Sequence, residues 1–154
     1  MMILCCDVLK ALEGKTLVTA ESLTGGGIGA AITAVSGASA VYKGGIISYT
    51  NEVKHSILGV SLETLELHGA VSCQTAEEMA IGARKLLKSD VAVSVTGLAG
   101  PGGDEYGNPV GTVCIGFCNA SESFAVKHHF EGSREEVRNQ TIRAALELVL
   151  DNNA

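Results

Sequence analysis

No cluster of lysine or arginine occurs anywhere in the chain, whose formal net charge is -6. Affinity for a polyanion rests on counterion release from a basic face, so a general nucleic-acid binder is excluded. A small anionic ligand is compatible with this charge only where local donors overcome the overall field. Tryptophan is absent and proline occurs twice, against 19 glycines, a balance that describes small side chains and tight turns. The apolar opening from Met1 to Leu12 is interrupted by Asp7 and Lys10 and followed by Glu13. It falls well short of the roughly 20 residues that span a bilayer, and it lacks the cleavage region of a secretory signal. The five cysteines, Cys5, Cys6, Cys73, Cys114 and Cys118, show no C-x-x-C spacing. Reduced, buried thiols in a cytoplasmic protein are expected.

Metal and cofactor signatures are missing as well. His128 and His129 fall on opposite faces of a predicted strand, His55 and His68 are isolated, and neither H-E-x-x-H nor a zinc cysteine pattern occurs. No Walker lysine follows the glycines, and the first glycine corner does not read G-x-G-x-x-G. ATP-driven and hydride chemistry are therefore unsupported, and no metal or cofactor is expected.

What is present is the composition of one folded domain over residues 1–154, with 46% hydrophobic and 18% charged residues. Ile3 to Leu12 predicts an opening helix stopped by Gly14. A short strand from Thr16 to Ala20 then feeds the corner Glu21-Ser22-Leu23-Thr24-Gly25-Gly26-Gly27, with Ile28, Ala31, Ile32 and Val35 at helical spacing beyond it. Free amides of that helix's first turn are expected to point toward Ser22, where an anion or oxyanion would sit. Tyr42 to Thr50 contains a second strand, followed by a short helix carrying Asn51 and Lys54. Ser61 to Leu67 suggests one or two helical turns.

Thr75 reads as the N-cap of a helix with Glu77 and Glu78 in its first turn, running to about Lys88. Val91 to Val95 is nearly all apolar, as in a strand covered on both faces, and it ends at the loop Thr96 to Gly103. Asp104 to Pro109 is polar and expected to be mobile. Gly111 to Cys118 and Ser123 to Phe130 form a predicted hairpin, with Cys114, Gly116 and Cys118 on one face as core. Ser133 and Glu136 match a capping box opening a last helix through Val137, Ile142, Ala145, Leu146 and Leu150. The predicted fold is α/β: a single three-layer domain, a mixed β-sheet with helices on both faces.

Three polar corners, Ser22 to Gly26, Ser48 to Lys54 and Thr96 to Gly103, thus lie at the carboxyl ends of predicted strands, the edge where open α/β sheets bind ligands. An amine enclosed near such a pocket can lose its proton, so Lys54 is a candidate base for Ser22 or Ser48; alone, it would read as a solvated lysine on a surface helix. Backbone N–H groups around Thr24 to Gly26 or Gly97 to Gly100 are suitable in type to hold an oxyanion. Tyr49 can hold Lys54 and the hydroxyls in register. Glu21 either orients the turn or a ligand hydroxyl, or caps the following helix. Arg134 and Arg138, one helical turn apart, either share a phosphate or flank the last helix on its wet side.

Taken together, Ala20-Glu21-Ser22-Leu23-Thr24-Gly25-Gly26, Tyr49-Thr50-Asn51 with Lys54, Leu58-Gly59-Val60, His68-Gly69-Ala70-Val71-Ser72 and Val95 to Gly103 resemble the CinA C-terminal domain family. Pro109 to Val113 and Gly132 to Arg138 agree with it too. The resemblance implies a nicotinamide mononucleotide amidohydrolase in pyridine nucleotide recycling, without metal or cofactor. On this sequence it implies Ser22 as nucleophile with Ser48 in reserve, Lys54 as base and Tyr49 assisting. Glu21, Thr24, Gly25, Gly26, Ser48, Asn51, Thr96, Gly97, Gly100 and Arg138 are then the candidate substrate-binding residues. Leu23 stands where many members carry cysteine, and Asn108 stands where lysine is frequent. Acidic Asp104 and Glu105 argue against phosphate binding by that loop. The chain looks like the stand-alone form, without the larger molybdopterin-module-like domain of longer members. The expected partners are a small-molecule nucleotide and a second copy in a homodimer, with no nucleic acid and no membrane. The alternatives are a non-catalytic regulatory module linked to competence or DNA damage, and hydrolysis of another pyridine amide.

Overall fold

Strand β1 (Leu17–Glu21) lies between two parallel neighbours, β2 (Tyr42–Ile47) and β3 (Val91–Gly97). The computed structural model describes residues 1–153 and continues the sheet antiparallel through β4 (Thr112–Cys118) and β5 (Ser123–His129), in the order β2-β1-β3-β4-β5. This is a mixed α/β sheet with six helices, as the sequence predicted. β3 is its middle strand, and Val91 to Thr96 are all buried. An apolar run without alternation is what coverage on both faces requires.

One face packs on α1 (Met2–Ala11), α2 (Gly27–Thr33) and α6 (Arg134–Asp151), through Leu17, Val93, Val95, Val113, Ile115 and Phe117. The other packs on α3 (Asn51–Ser56), α4 (Leu62–His68) and chiefly α5 (Cys73–Leu87). There Val18, Ala20 and Ala92 meet Met79, Ala80 and Ala83. Gly116 lets α5 settle close to the sheet, because a Cβ there would lie 2.2 Å from the Ala76 carbonyl oxygen. Each fully buried large side chain in these layers, Phe117 among them, contributes about 1.5–3 kcal/mol against exposure. Among the described residues no helix is long and apolar enough to cross a membrane.

Several local expectations are corrected. Ser72, not Thr75, caps α5: its Oγ accepts from the Thr75 amide at 3.1 Å, and no acid occupies the first turn. Two hydroxyls three residues apart both suit a cap, and here both donate to the Gly69 carbonyl, Ser72 at 3.2 Å and Thr75 at 2.7 Å, while Ser72 alone accepts a first-turn amide. Glu78 instead accepts from the Ser61 amide at 2.9 Å and braces α4. Val35 lies beyond α2, which ends at Thr33. The loop from Asp104 to Pro109 is folded on itself, with Asp104 Oδ1 accepting from the amides of Tyr106 and Asn108, both at 3.0 Å. The Tyr106 hydroxyl ties it to the Glu66 carbonyl at 2.9 Å. The Ser133–Glu136 capping box forms as the spacing predicted.

Candidate active site

Parallel pairing of β1, β2 and β3 carries all three polar corners to one sheet edge. At the first corner the Ser22 amide donates to the Val95 carbonyl at 3.1 Å, extending the sheet one residue past β1. Gly25 and Gly26 then take positive φ of 58° and 101°, which reverses the chain into α2 within a few residues. The buried Glu21 carboxylate sits inside this reversal. Its Oε1 accepts from Thr24 Oγ1 at 2.6 Å and from the Ile28 amide at 2.8 Å, and its Oε2 accepts from the Gly29 amide at 3.1 Å. The helix amides expected to face a ligand are therefore taken by the chain's own carboxylate, a favourable anion at a helix N-terminus. Arg138 holds the turn from behind, donating to the Leu23 and Thr24 carbonyls at 2.9 and 3.2 Å.

At the second corner the Ser48 amide donates to the Glu21 carbonyl at 2.7 Å, locking the two corners together. Thr50 caps α3 by accepting from the Val53 amide. One turn of α3 then turns Lys54 inward, where it is 1% exposed. Its Nζ lies 2.9 Å from Ser22 Oγ, 2.9 Å from the Ser48 carbonyl and 3.2 Å from the Tyr49 carbonyl. Among the described residues no acid pairs with it, and burial lowers its pKa from 10.5 to about 8. In the neutral amine, two N–H bonds serve the two carbonyls and the lone pair faces the Ser22 hydroxyl.

The third corner follows β3. Thr96 Oγ1 donates to the Ala70 carbonyl at 2.8 Å and draws in the segment between α4 and α5. The Leu98 amide donates to Thr112, so of the loop's amides those of Ala99 and Gly100 are the better placed for a ligand. The Gly100 carbonyl accepts from Arg134 Nη1 at 2.7 Å. Together the corners enclose an open cavity of about 300 Å3.

Of the residues singled out from sequence, Ser22, Tyr49, Asn51, Lys54, Thr96, Gly97 and Gly100 line this cavity. Glu21, Thr24, Gly25, Gly26, Ser48 and Arg138 lie behind its wall and shape the turn. Tyr49 bears on Lys54 through its backbone carbonyl, while its exposed phenol reaches Arg134 Nη2 at 3.5 Å. Arg134 replaces Arg138 at the cavity. A signal for it was available, since β5 runs parallel to β3 through the hairpin, so the first residue of α6 emerges at the cavity edge and Arg138 falls a turn away. Ala70, Val71, Leu98 and Ala99 also line the cavity. They are small or apolar and carry no chemical signal of their own.

The fold is a three-layer α/β domain that presses a buried lysine against a serine hydroxyl at the carboxyl edge of its parallel strands. The chain belongs to the CinA C-terminal domain family, whose model matches residues 5–152. It is similar to the nicotinamide-nucleotide amidohydrolase PncC of Escherichia coli K12, with 46% identity over 142 residues, 92% of this chain and 86% of that protein. A CinA-like protein of Endomicrobium trichonymphae is 47% identical over 150 residues, 93% of this chain but 35% of that protein. The chain thus spans about a third of the length of such longer relatives. The crystal structure of a CinA superfamily protein from Klebsiella pneumoniae 700603 matches with a TM-score of 0.95 at 35% identity, covering 99% of this chain and 96% of that one.

Proposed function

We propose that this chain hydrolyses the carboxamide of nicotinamide mononucleotide, giving nicotinate mononucleotide and ammonia, with Ser22 as nucleophile and Lys54 as its base. The observation that carries the reading is the 2.9 Å approach of Lys54 Nζ to Ser22 Oγ in a cavity where the amine's pKa is about 8. An amidohydrolase relative of similar length supports the substrate class.

The neutral Lys54 amine takes the Ser22 proton as Oγ attacks the carboxamide carbon. Charge develops on the carbonyl oxygen, and the backbone N–H groups of Ala99, Gly100 and the cavity-lining Leu23 are its donors. Lys54, now ammonium, returns the proton to the departing nitrogen, and ammonia leaves an ester on Ser22. Water, deprotonated by the same amine, attacks the ester, frees the carboxylate and restores Ser22. Asn51 and Thr96 orient the ring and ribose, Arg134 meets the phosphate, and the Tyr49 ring covers the open side.

Ammonia release from nicotinamide mononucleotide, beside nicotinamide and nicotinamide riboside and with and without a chelator, tests this. Chelator-insensitive release from the mononucleotide alone is expected. Folded protein that releases none from any of the three would make the domain a binding or regulatory module.

A further inference from the structure

Gly116 has a consequence on the side of the sheet away from the Ser22 turn. Ala76 rides over it on α5. Cys73 lies one helical turn before Ala76, and Cys114 lies two residues before Gly116 on the same face of β4. The close approach of helix and sheet therefore presses these two cysteines together. Cys73 packs on the buried cluster of Val71, Ala76 and Cys114, close enough for its thiol to bear on that of Cys114.

The pair is asymmetric in access. Cys114 is fully buried, and burial with the Cys73 thiol beside it pushes its pKa up to about 12. Cys73 is partly exposed and lines a second surface cavity of about 420 Å3 with His68, Ser72, Tyr106 and Lys127. Lys127 is the cross-strand partner of Cys114, and its charge offsets a small part of that rise. One sulfur is thus open to solvent while the other waits behind it, the arrangement of an attacking and a resolving thiol.

We propose that Cys73 and Cys114 form a reversible redox site that a hydroperoxide converts to an intramolecular disulfide. The Cys73 sulfur attacks the outer peroxide oxygen and becomes a sulfenic acid as the O–O bond breaks and an alcohol or water leaves. The Cys114 sulfur then attacks the Cys73 sulfur, and its proton departs with the hydroxyl as a second water. Both thiols are oxidised, and the peroxide is reduced.

Closing the bond to about 2 Å draws the sulfurs well inside non-bonded contact, so one element must move. β4 is hydrogen-bonded along both edges, to β3 and β5, which leaves Cys73 and the segment before it to shift. That segment carries Ala70, which accepts from Thr96, and Val71, which lines both this cavity and the one at Ser22. Oxidation therefore displaces a wall of the Ser22 cavity whatever reaction is carried out there.

Reduced protein is treated with hydrogen peroxide, alkylated and digested for mass spectrometry. The expected result is one linked pair of peptides containing Cys73 and Cys114, about 2 Da below their sum, reversed by dithiothreitol, with Cys5, Cys6 and Cys118 alkylated. Hydrogen exchange at the amides of residues 69–72 should rise in the oxidised protein and stay unchanged in peroxide-treated Cys73→Ser and Cys114→Ala. Alkylated or over-oxidised Cys73 without the link, or a link to any other cysteine, overturns the site. A link that leaves exchange at residues 69–72 unaltered overturns its coupling to the cavity wall.

Discussion

Lys54 Nζ and Ser22 Oγ lie 2.9 Å apart although 32 residues separate them. The contact follows from the parallel register of β1 and β2, which pairs Glu21 with Ile47 and so places Ser22 and Ser48 side by side at the sheet edge. A single turn of α3 returns the chain over that edge. The Ser48 and Tyr49 carbonyls then fix the amine so that its third tetrahedral direction meets the hydroxyl. Two serines compete for the role of nucleophile in the sequence, and only one meets both the amine and the cavity.

Ser22→Ala should lower kcat by at least about 1000-fold, since the attacking atom is removed, while leaving ligand affinity nearly intact. Ser48→Ala removes only a long 3.4 Å bond to the Glu21 carbonyl and keeps the carbonyl that serves Lys54. It should retain turnover within about tenfold. Steady-state kinetics on both variants decide the assignment, and near-normal turnover by Ser22→Ala would refute it.

Turnover should rise with pH through about 8, as Lys54 loses its proton. Stability should follow the same group. An unfolded lysine titrates near 10.5 and the folded one near 8, so between these values the unfolded state binds more protons. Unfolding free energy therefore increases as pH rises across that window, and below it the cost of burying the charge stands in full, on the order of 3 kcal/mol. Lys54→Met should abolish turnover and flatten this slope. Urea melts on either side of the window, compared with the parent protein, measure the difference.

Glu21→Gln tests whether that carboxylate serves the fold. The Ile28 and Gly29 amides and the Thr24 hydroxyl all donate to it, and an amide group turns two donors of its own into this cluster. A loss of about 2–3 kcal/mol in chemical denaturation is expected. Ligand affinity should change less than stability does. Unaltered stability with lost affinity would return Glu21 to the ligand.

Arg134 and Arg138 should separate by phenotype. Arg134→Ala is expected to raise KM for the mononucleotide about tenfold or more with little change in stability, because a charge-assisted phosphate contact is lost. Arg138→Ala leaves the Leu23 and Thr24 carbonyls without their donor and should lower stability by about 1–3 kcal/mol. Its kcat should fall with the displaced Ser22 turn. Thermal melts and steady-state kinetics on the mononucleotide distinguish these outcomes.

The order of strands and helices was legible because it rests on local rules: apolar spacing, glycine at reversals and the Ser133–Glu136 box. The three corners were legible for the same reason, since each strand's end is visible in its own residues. Other features depended on contacts that no local pattern contains. Lys54 on a short helix reads by itself as a wet surface residue, and only the docking of α3 over the β1–β2 edge removes its water and lowers its pKa. Ser72 prevails over Thr75 as a cap because α5 begins at Cys73, which puts Thr75 inside the first turn and its amide on the Ser72 hydroxyl. Arg134 takes the place of Arg138 because the β4–β5 hairpin sets where α6 begins. The residue types and their order determined which groups could meet at one edge. Long-range packing, through burial and the direction of each side chain, decided which of them reach the cavity and which hold its walls.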